Sequence, residues 1–222
     1  LQLQHPTLKG MDQELMMPIN TSARRIPALF IICSFLLTTL AQAKQVDSVL
    51  LHTEKHVVRA TMLASDLHHP WGLAFLPDQR LLITERSGSL LLMNLDGSNR
   101  TLISGLPEIE IYGQGGLLDV AVDPNFDSNQ TIYLSYAARG KGGIGTEVAR
   151  AKLIGDELQA LEVIFRLDPK SRRKYHFGSR LVFDDQQRLY ITIGDRGERP
   201  RAQKLDDHAG SVILINKDGS IP

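Results

Sequence analysis

The sequence FLPDQRLLIT at residues 75–84 combines an apolar strand, a polar turn and a second apolar strand that ends in a hydroxyl residue. The same pattern recurs as VDPNFDSNQTIYLS at residues 122–135 and as FDDQQRLYIT at residues 183–192. Successive terminal hydroxyls lie about 50 to 57 residues apart, which is close to the period of propeller blades. The chain is therefore predicted to consist of repeated β units.

Further short apolar runs, each closely followed by a turn signal, lie between these repeats. They occupy residues 89–95, 147–153 and 211–216, and an Asp-Gly or Gly-Asp pair comes after each of them. Asp-Gly between apolar runs favours a hairpin. Four strands in about 50 residues make one blade, so an all-β fold is predicted, with about three four-stranded antiparallel blades of a β-propeller in this chain. No long amphipathic helix is expected after residue 40.

The composition is that of a folded protein with no overall charge. Lys plus Arg and Asp plus Glu number 25 each, so no net positive charge is available to hold a nucleic-acid backbone, and no nucleic-acid partner is predicted. Hydrophobic residues make up 42% of the chain, which is enough for an ordinary core. The one cysteine, Cys33, lies in an N-terminal apolar run, which excludes a disulfide framework and a thiolate metal site elsewhere.

Residues 1–43 are predicted to be upstream residues and a secretory signal peptide. Arg24 and Arg25 precede an apolar run at residues 26–40, and Ala-Gln-Ala follows it. A basic region, a short apolar region and an A-x-A site are the parts of such a peptide. The run is shorter than the roughly 20 residues that span a bilayer, with an uncleaved anchor as the alternative. We expect a periplasmic or secreted protein without stable membrane insertion after cleavage, in which residues 44–222 form the N-terminal half of a propeller domain.

Two local motifs suggest other sites but lack the context that those sites need. GKGGIG at residues 140–145 has the G-x-G-x-x-G spacing, but no strand–helix–strand unit surrounds it, so a flexible hairpin loop is favoured over a nicotinamide site. DPNFD at residues 123–127 resembles the start of an EF-hand loop, but Ser128 and Leu134 stand where calcium binding needs Gly and Glu. The histidines form no zinc motif, and no metal ligands are predicted in this chain.

Five segments together resemble one enzyme family. They read PWGLAF at 70–75, TERSG at 84–88, GQGGLL at 113–118, HFGSR at 176–180 and GDRGER at 194–199. They are similar to segments of the soluble aldose dehydrogenases that depend on pyrroloquinoline quinone (PQQ), the glucose/sorbosone dehydrogenase family. The resemblance extends from about residue 67 to residue 222. It implies a six-bladed propeller of which this chain holds the first half.

The resemblance implies roles for three residues. His176 corresponds to the family's general base, and histidine suits the removal of a hydroxyl proton from C1 of an aldose while a hydride moves to the quinone, which yields a lactone. Asp195 would orient the imidazole and stabilise its charged form. Gln114 corresponds to the glutamine that binds PQQ, because an amide offers a donor and an acceptor to a quinone edge.

The resemblance also implies the partners of the protein, namely an aldose substrate, an electron acceptor, PQQ and calcium. The calcium loop and the cationic residues that hold the PQQ carboxylates correspond to positions after Pro222, so this stretch alone is expected to contain only part of the cofactor site. Tyr175 and Ser211 stand where some members have an acid and a lysine. Narrow specificity for glucose is therefore not implied.

Two other functions fit the same scaffold, because a fold does not determine a function. A calcium-dependent propeller lactonase would act without PQQ. A non-catalytic propeller that binds sugar or protein would keep its ligand affinity after His176→Ala. A dehydrogenase is instead expected to lose on the order of 10²-fold or more in turnover with the same change.

Overall fold

The structure, a computed structural model, describes residues 48–222 and shows antiparallel β-strands throughout. Two sheets have four strands, a third has three, and a separate two-stranded hairpin precedes them. The prediction of an all-β chain with repeated four-stranded antiparallel units is confirmed. The predicted signal peptide, at residues 1–43, lies outside the described residues.

The sheets follow one another along the chain, and within each sheet the strands are neighbours in sequence order. The hairpin contains β1 (Ser48–His52) and β2 (Val57–Thr61). The first sheet contains β3 (Pro70–Phe75), β4 (Arg80–Glu85), β5 (Ser89–Asn94) and β6 (Thr101–Leu102). The second contains β7 (Leu117–Val122), β8 (Thr131–Gly140), β9 (Gly143–Ile154) and β10 (Glu157–Arg166). The third contains β11 (Gly178–Phe183), β12 (Leu189–Ile193) and β13 (Val212–Ile215).

Helical structure in residues 48–222 is confined to two short segments, α1 (Phe126–Asn129) and a 3₁₀ helix (Arg199–Gln203). Neither is long and apolar enough to cross a membrane. The GKGGIG stretch forms the turn between β8 and β9, with Gly140 paired to Gly143. It is therefore a hairpin loop, as predicted, and does not open a helix as a nicotinamide-binding loop would.

The three sequence repeats share a turn conformation as well as a pattern. Just before the second strand of each sheet stands a glutamine with a left-handed backbone, with φ of 68° at Gln79, 53° at Gln130 and 59° at Gln187. This conformation is uncommon for residues other than glycine. Its recurrence shows that the three units are built in the same way.

The hydroxyl residue that ends each repeat forms a hydrogen bond with the first strand of its sheet, at the place where the pairing register of that strand shifts. The register between the first and second strands shifts in all three sheets, and a bulge disrupts the regular ladder of hydrogen bonds. In each sheet the hydroxyl accepts a hydrogen bond from one backbone N–H in this region. The pairs are Gly72 N with Thr84 Oγ1 (2.8 Å), Asp119 N with Ser135 Oγ (2.9 Å) and Arg180 N with Thr192 Oγ1 (2.9 Å).

Two of these hydroxyls also connect one sheet to the next. Thr84 Oγ1 donates to the carbonyl of Leu118 in β7, and Ser135 Oγ donates to the carbonyl of Ser179 in β11 at 2.7 Å. Thr84 and Ser135 are fully buried. The same side chain therefore binds the first strand of its own sheet and the first strand of the following sheet.

The first strands of the three sheets lie next to one another, β3 against β7 and β7 against β11. Apolar side chains form two main cores behind them. One cluster, from the first and second sheets, includes Leu82, Leu90, Leu117, Ile132 and Leu134. The other, from the second and third sheets, includes Tyr133, Val148, Leu181, Leu189 and Ile191. This packing brings the segments that precede β7 and β11 together.

Candidate active site

A cleft of about 490 Å³ opens where the segments that precede β7 and β11 meet the first sheet. It is lined by Trp71, Arg86, Gly113, Gln114, Leu118, His176, Phe177 and Gly178. Two of the three predicted site residues, Gln114 and His176, belong to this lining. The third, Asp195, contacts His176. The structure thus brings all three together.

His176 and Asp195 form a directly bonded pair at the cleft. Nδ1 of His176 lies 2.7 Å from Oδ1 of Asp195, which also accepts a hydrogen bond from the N–H of Gly197 at 2.8 Å. The bond with His176, followed by that from Gly197, holds the pKa of Asp195 below its usual range. An ionised carboxylate only accepts hydrogen bonds, so Nδ1 carries the proton and Nε2 is free to accept one. The imidazole is 55% exposed, so a substrate can reach it.

Gln114 joins the segment before β7 to the segment before β11. Its Oε1 accepts a hydrogen bond from the backbone N–H of His176 at 2.8 Å, and its own backbone N–H donates to the carbonyl of Lys174 at 2.8 Å. The amide oxygen therefore holds the backbone of His176. The sequence suggested that both ends of this amide would serve a ligand, but the structure leaves the Nε2 group as the end that is available to donate in the cleft.

Glycines let these segments approach closely. A Cβ atom on Gly113 would lie 2.2 Å from the carbonyl oxygen of Lys174, and one on Gly194 would lie 2.1 Å from the carbonyl oxygen of His176. Atoms cannot approach to such distances, so a larger residue at either position would force the segments apart. The glycines therefore allow the GQGG and GDRG segments, which carry Gln114 and Asp195, to pack closely against the segment that carries His176.

Arg86 and Trp71 line the cleft but were not predicted as site residues. Arg86 donates from Nη1 to the carbonyl of Gly113, which brings a guanidinium charge to the cleft. Trp71 stacks against Arg180, whose guanidinium carbon lies 4.9 Å from the ring centroid. Both belong to segments that carry the family resemblance. Their roles depend on contacts across sheets, which a single sequence does not show.

The other histidines in residues 48–222 do not line this cleft. His208 accepts a hydrogen bond at Nδ1 from the N–H of Asp168 at 3.1 Å and packs against the ring of Phe165. Within the same described residues, no group of three or more His, Cys, Asp or Glu side chains is arranged to hold a metal ion. Among the histidines of residues 48–222, His176 is therefore the one that lines the cleft.

The residues that build the cleft also lie within a match to a known family. The family model described as glucose/sorbosone dehydrogenase matches residues 67–222, which include the three sheets and all the cleft residues. The chain belongs to this family. The resemblance to the glucose/sorbosone dehydrogenases that was predicted from the sequence is therefore confirmed.

Three proteins illustrate what this member of the glucose/sorbosone dehydrogenase family is similar to. It is 40% identical over 169 residues to the aldose sugar dehydrogenase YliI of Escherichia coli (strain K12). It is 29% identical over 191 residues to quinoprotein glucose dehydrogenase B of Acinetobacter calcoaceticus. Its structure matches the PQQ-bound form of an aldose sugar dehydrogenase from Streptomyces coelicolor with a TM-score of 0.63 and 25% identity.

The chain spans about half the length of these proteins. The three matches cover 74%, 72% and 79% of this chain but only 46%, 40% and 50% of the respective proteins. The part of the chain that the family model matches contains the His176–Asp195 pair and Gln114.

Proposed function

We propose that this chain is part of an exported PQQ-dependent dehydrogenase that oxidises the C1 hydroxyl of aldose sugars to lactones. The observation that carries the proposal is the bonded pair of His176 and Asp195, held beside Gln114 in an open cleft. The names of the similar proteins support it, since two are called sugar dehydrogenases and a third is called a quinoprotein glucose dehydrogenase. One of these structures contains PQQ.

The His176–Asp195 pair supplies the base that the oxidation needs. Because Nδ1 keeps its proton for Asp195, Nε2 of His176 takes the proton of the C1 hydroxyl, while the hydrogen on C1 leaves with two electrons as a hydride. The ionised carboxylate of Asp195 then stabilises the imidazolium. Loss of one proton and one hydride from a cyclic hemiacetal gives a lactone, so atoms and charges balance.

The donors of the cleft fit PQQ, a planar anionic quinone that accepts a hydride when bound. The Nε2 group of Gln114 is a donor for a quinone oxygen, and the guanidinium of Arg86 attracts carboxylates. Trp71, which lines the cleft, offers aromatic surface that favours a planar ring system. These residues would hold one part of the cofactor.

The architecture and the location belong to the same proposal. We infer a six-bladed propeller whose N-terminal half is residues 44–222, preceded by a signal peptide within residues 1–43 that directs the protein to the periplasm or the medium. The hydroxyl bonds that link successive sheets support a continuing array of this kind. Calcium and the remaining PQQ contacts would be held by residues outside this stretch, and a separate acceptor would receive the electrons.

The test is aldose-dependent reduction of an artificial dye by protein expressed from its complete reading frame, with and without added PQQ and calcium. We expect activity only with PQQ. In His176→Ala, turnover should fall on the order of 10²-fold or more because the base is lost. The matched control is His52→Ala, which removes an exposed histidine on β1 and should leave turnover unchanged.

The other outcomes separate the competing functions. A folded protein that binds PQQ but oxidises no aldose would contradict the proposal. Hydrolysis of lactones without PQQ would indicate a propeller lactonase. Sugar binding that survives His176→Ala, without any turnover in the wild type, would indicate a non-catalytic binding propeller.

A further inference from the structure

Arg196 is a buried cation directly behind the proposed base. Arg196 is fully buried. Its Nη1 donates to the carbonyl of Tyr175 at 2.6 Å, and its Nη2 donates to the carbonyls of Arg173 at 2.7 Å and Ile144 at 3.5 Å. Its guanidinium carbon lies 3.5 Å from the centroid of the Phe177 ring. Among the described residues, no carboxylate lies within ion-pair distance of Arg196, although the charge of Glu198 raises its pKa, and its Nε has no hydrogen-bond partner.

Such an arrangement is costly for the folded state. Burial of a charge is unfavourable unless a direct ion pair compensates for it, and a buried donor without a partner is also unfavourable. Burial, followed by the positive charge of Arg201, lowers the pKa of Arg196 to about 10. The side chain is nevertheless a cation near neutral pH. An apolar side chain would avoid the cost of the buried charge, but it would leave the carbonyls of Arg173 and Tyr175 without this donor.

The groups that Arg196 contacts flank His176 on both sides. It holds the carbonyl of Tyr175, which precedes His176, and it stacks on the ring of Phe177, which follows. His176 itself has a left-handed backbone with φ of 57°. Such a conformation is unfavourable for a residue other than glycine and persists only where the surroundings hold it.

Neighbouring residues of one turn therefore act on His176 in different ways. Asp195 binds the imidazole, whereas Arg196 binds the backbone around it. Gly197 makes room for this arrangement, since a Cβ atom there would lie 2.1 Å from Cε2 of Tyr175. The GDRG turn thus fixes both the side chain and the main chain of the proposed base.

We propose that Arg196 is a positioning residue for His176. By holding the chain at Arg173, Tyr175 and Phe177, it keeps the imidazole bonded to Asp195 and its Nε2 accessible from the cleft. Its effect on turnover rests on the proposed function, whereas its effect on the His176–Asp195 bond does not. The two can therefore be measured separately.

The first measurement uses Arg196→Met in protein expressed from its complete reading frame. Methionine fills much of the same space but cannot bind the carbonyls. We expect kcat to fall about 10- to 100-fold, since misplacement of a reacting group by about 1 Å can cost 10²-fold, with KM changed by less than about threefold. Arg172→Met, which removes an exposed arginine of the same segment, is the matched control and should leave both constants unchanged.

A double-mutant cycle distinguishes positioning from general support of the fold. If Arg196 acts through His176, Arg196→Met should cause no further loss of kcat in protein that already carries His176→Ala. If the two losses multiply, Arg196 acts independently of His176 and the proposal is overturned. Should Arg196→Met fail to fold, Arg196→Lys replaces it in the same cycle, because lysine keeps the charge but cannot bind two carbonyls in the fork geometry of arginine.

The second measurement needs no turnover. In protein labelled with ¹⁵N-histidine, the Nδ1 proton of His176 that is shared with Asp195 should give a protected NMR resonance. We expect this resonance to be lost or broadened in Arg196→Met, or in Arg196→Lys if the methionine variant does not fold, and retained in Arg172→Met. If it is unchanged in the Arg196 variant, the proposal fails even where the dehydrogenase is confirmed. If the wild type shows no dehydrogenase activity, the resonance still tests the positioning role.

Discussion

Replacement of Ser135 by alanine tests the hydrogen bonds that join the second and third sheets. The hydroxyl is fully buried, accepts a hydrogen bond from the N–H of Asp119 at 2.9 Å and donates to the carbonyl of Ser179 at 2.7 Å. Alanine leaves both backbone groups without this partner, and each buried group left unpaired costs about 1–3 kcal/mol. Ser135→Ala is therefore expected to lower the free energy of unfolding by about 2–4 kcal/mol.

Urea denaturation followed by circular dichroism measures this loss in protein expressed from its complete reading frame. The control is Ser128→Ala, because the exposed hydroxyl of Ser128 donates only to the local carbonyl of Asn125 at 2.8 Å. The control should change stability by less than about 0.5 kcal/mol. A loss below about 1 kcal/mol in Ser135→Ala would refute the reasoning, since the backbone groups would then have found other partners.

Two further changes test an ion pair near the site and a close contact within it. Arg201 donates from Nε and Nη2 to the two carboxylate oxygens of Asp207 at 2.8 Å, which lowers the pKa of Asp207. A carboxyl with a lowered folded pKa stabilises the fold above its usual pKa of 3.8, and this contribution is lost as pH falls through the folded value. Asp207→Asn should therefore cost about 2 kcal/mol at pH 7, as measured by urea denaturation, and progressively less as the pH is lowered below the usual pKa of 3.8. A cost that does not change with pH would contradict this. Gly194→Ala places a methyl group against the carbonyl of His176, so kcat of the proposed oxidation should fall about 10-fold or more, and an unchanged kcat would argue against the close contact.

The repeated sheets could be predicted because each unit encodes its strands and turn locally. The glutamines at Gln79, Gln130 and Gln187 occupy the same position of the turn and the same region of backbone conformation. The function of the terminal hydroxyls could not be predicted in the same way. Their acceptors lie 34 and 44 residues further along the chain, in the next sheet, and no local pattern identifies them.

The site was predictable to the extent that its residues fall in short motifs. The resemblance selected His176, Asp195 and Gln114, and the structure brings them together. It did not indicate that the oxygen of Gln114 is already bonded to the backbone of His176. Arg196 was not selected either, because its significance lies in its full burial and its bonds to backbone carbonyls, which appear only when the chain is folded.

The contacts that join the sheets also align the parts of the site. The bond from Gln114 to His176 connects the segment before β7 to the segment before β11. These two segments are kept in register by hydroxyls of the second sheet, since Ser135 donates to the carbonyl of Ser179 and Thr146 donates to the carbonyl of Phe177 at 3.0 Å. The two acceptors lie within three residues of His176. A shift between the sheets would therefore separate the proposed base from Gln114, so the stability of this interface and the geometry of the site depend on the same hydrogen bonds.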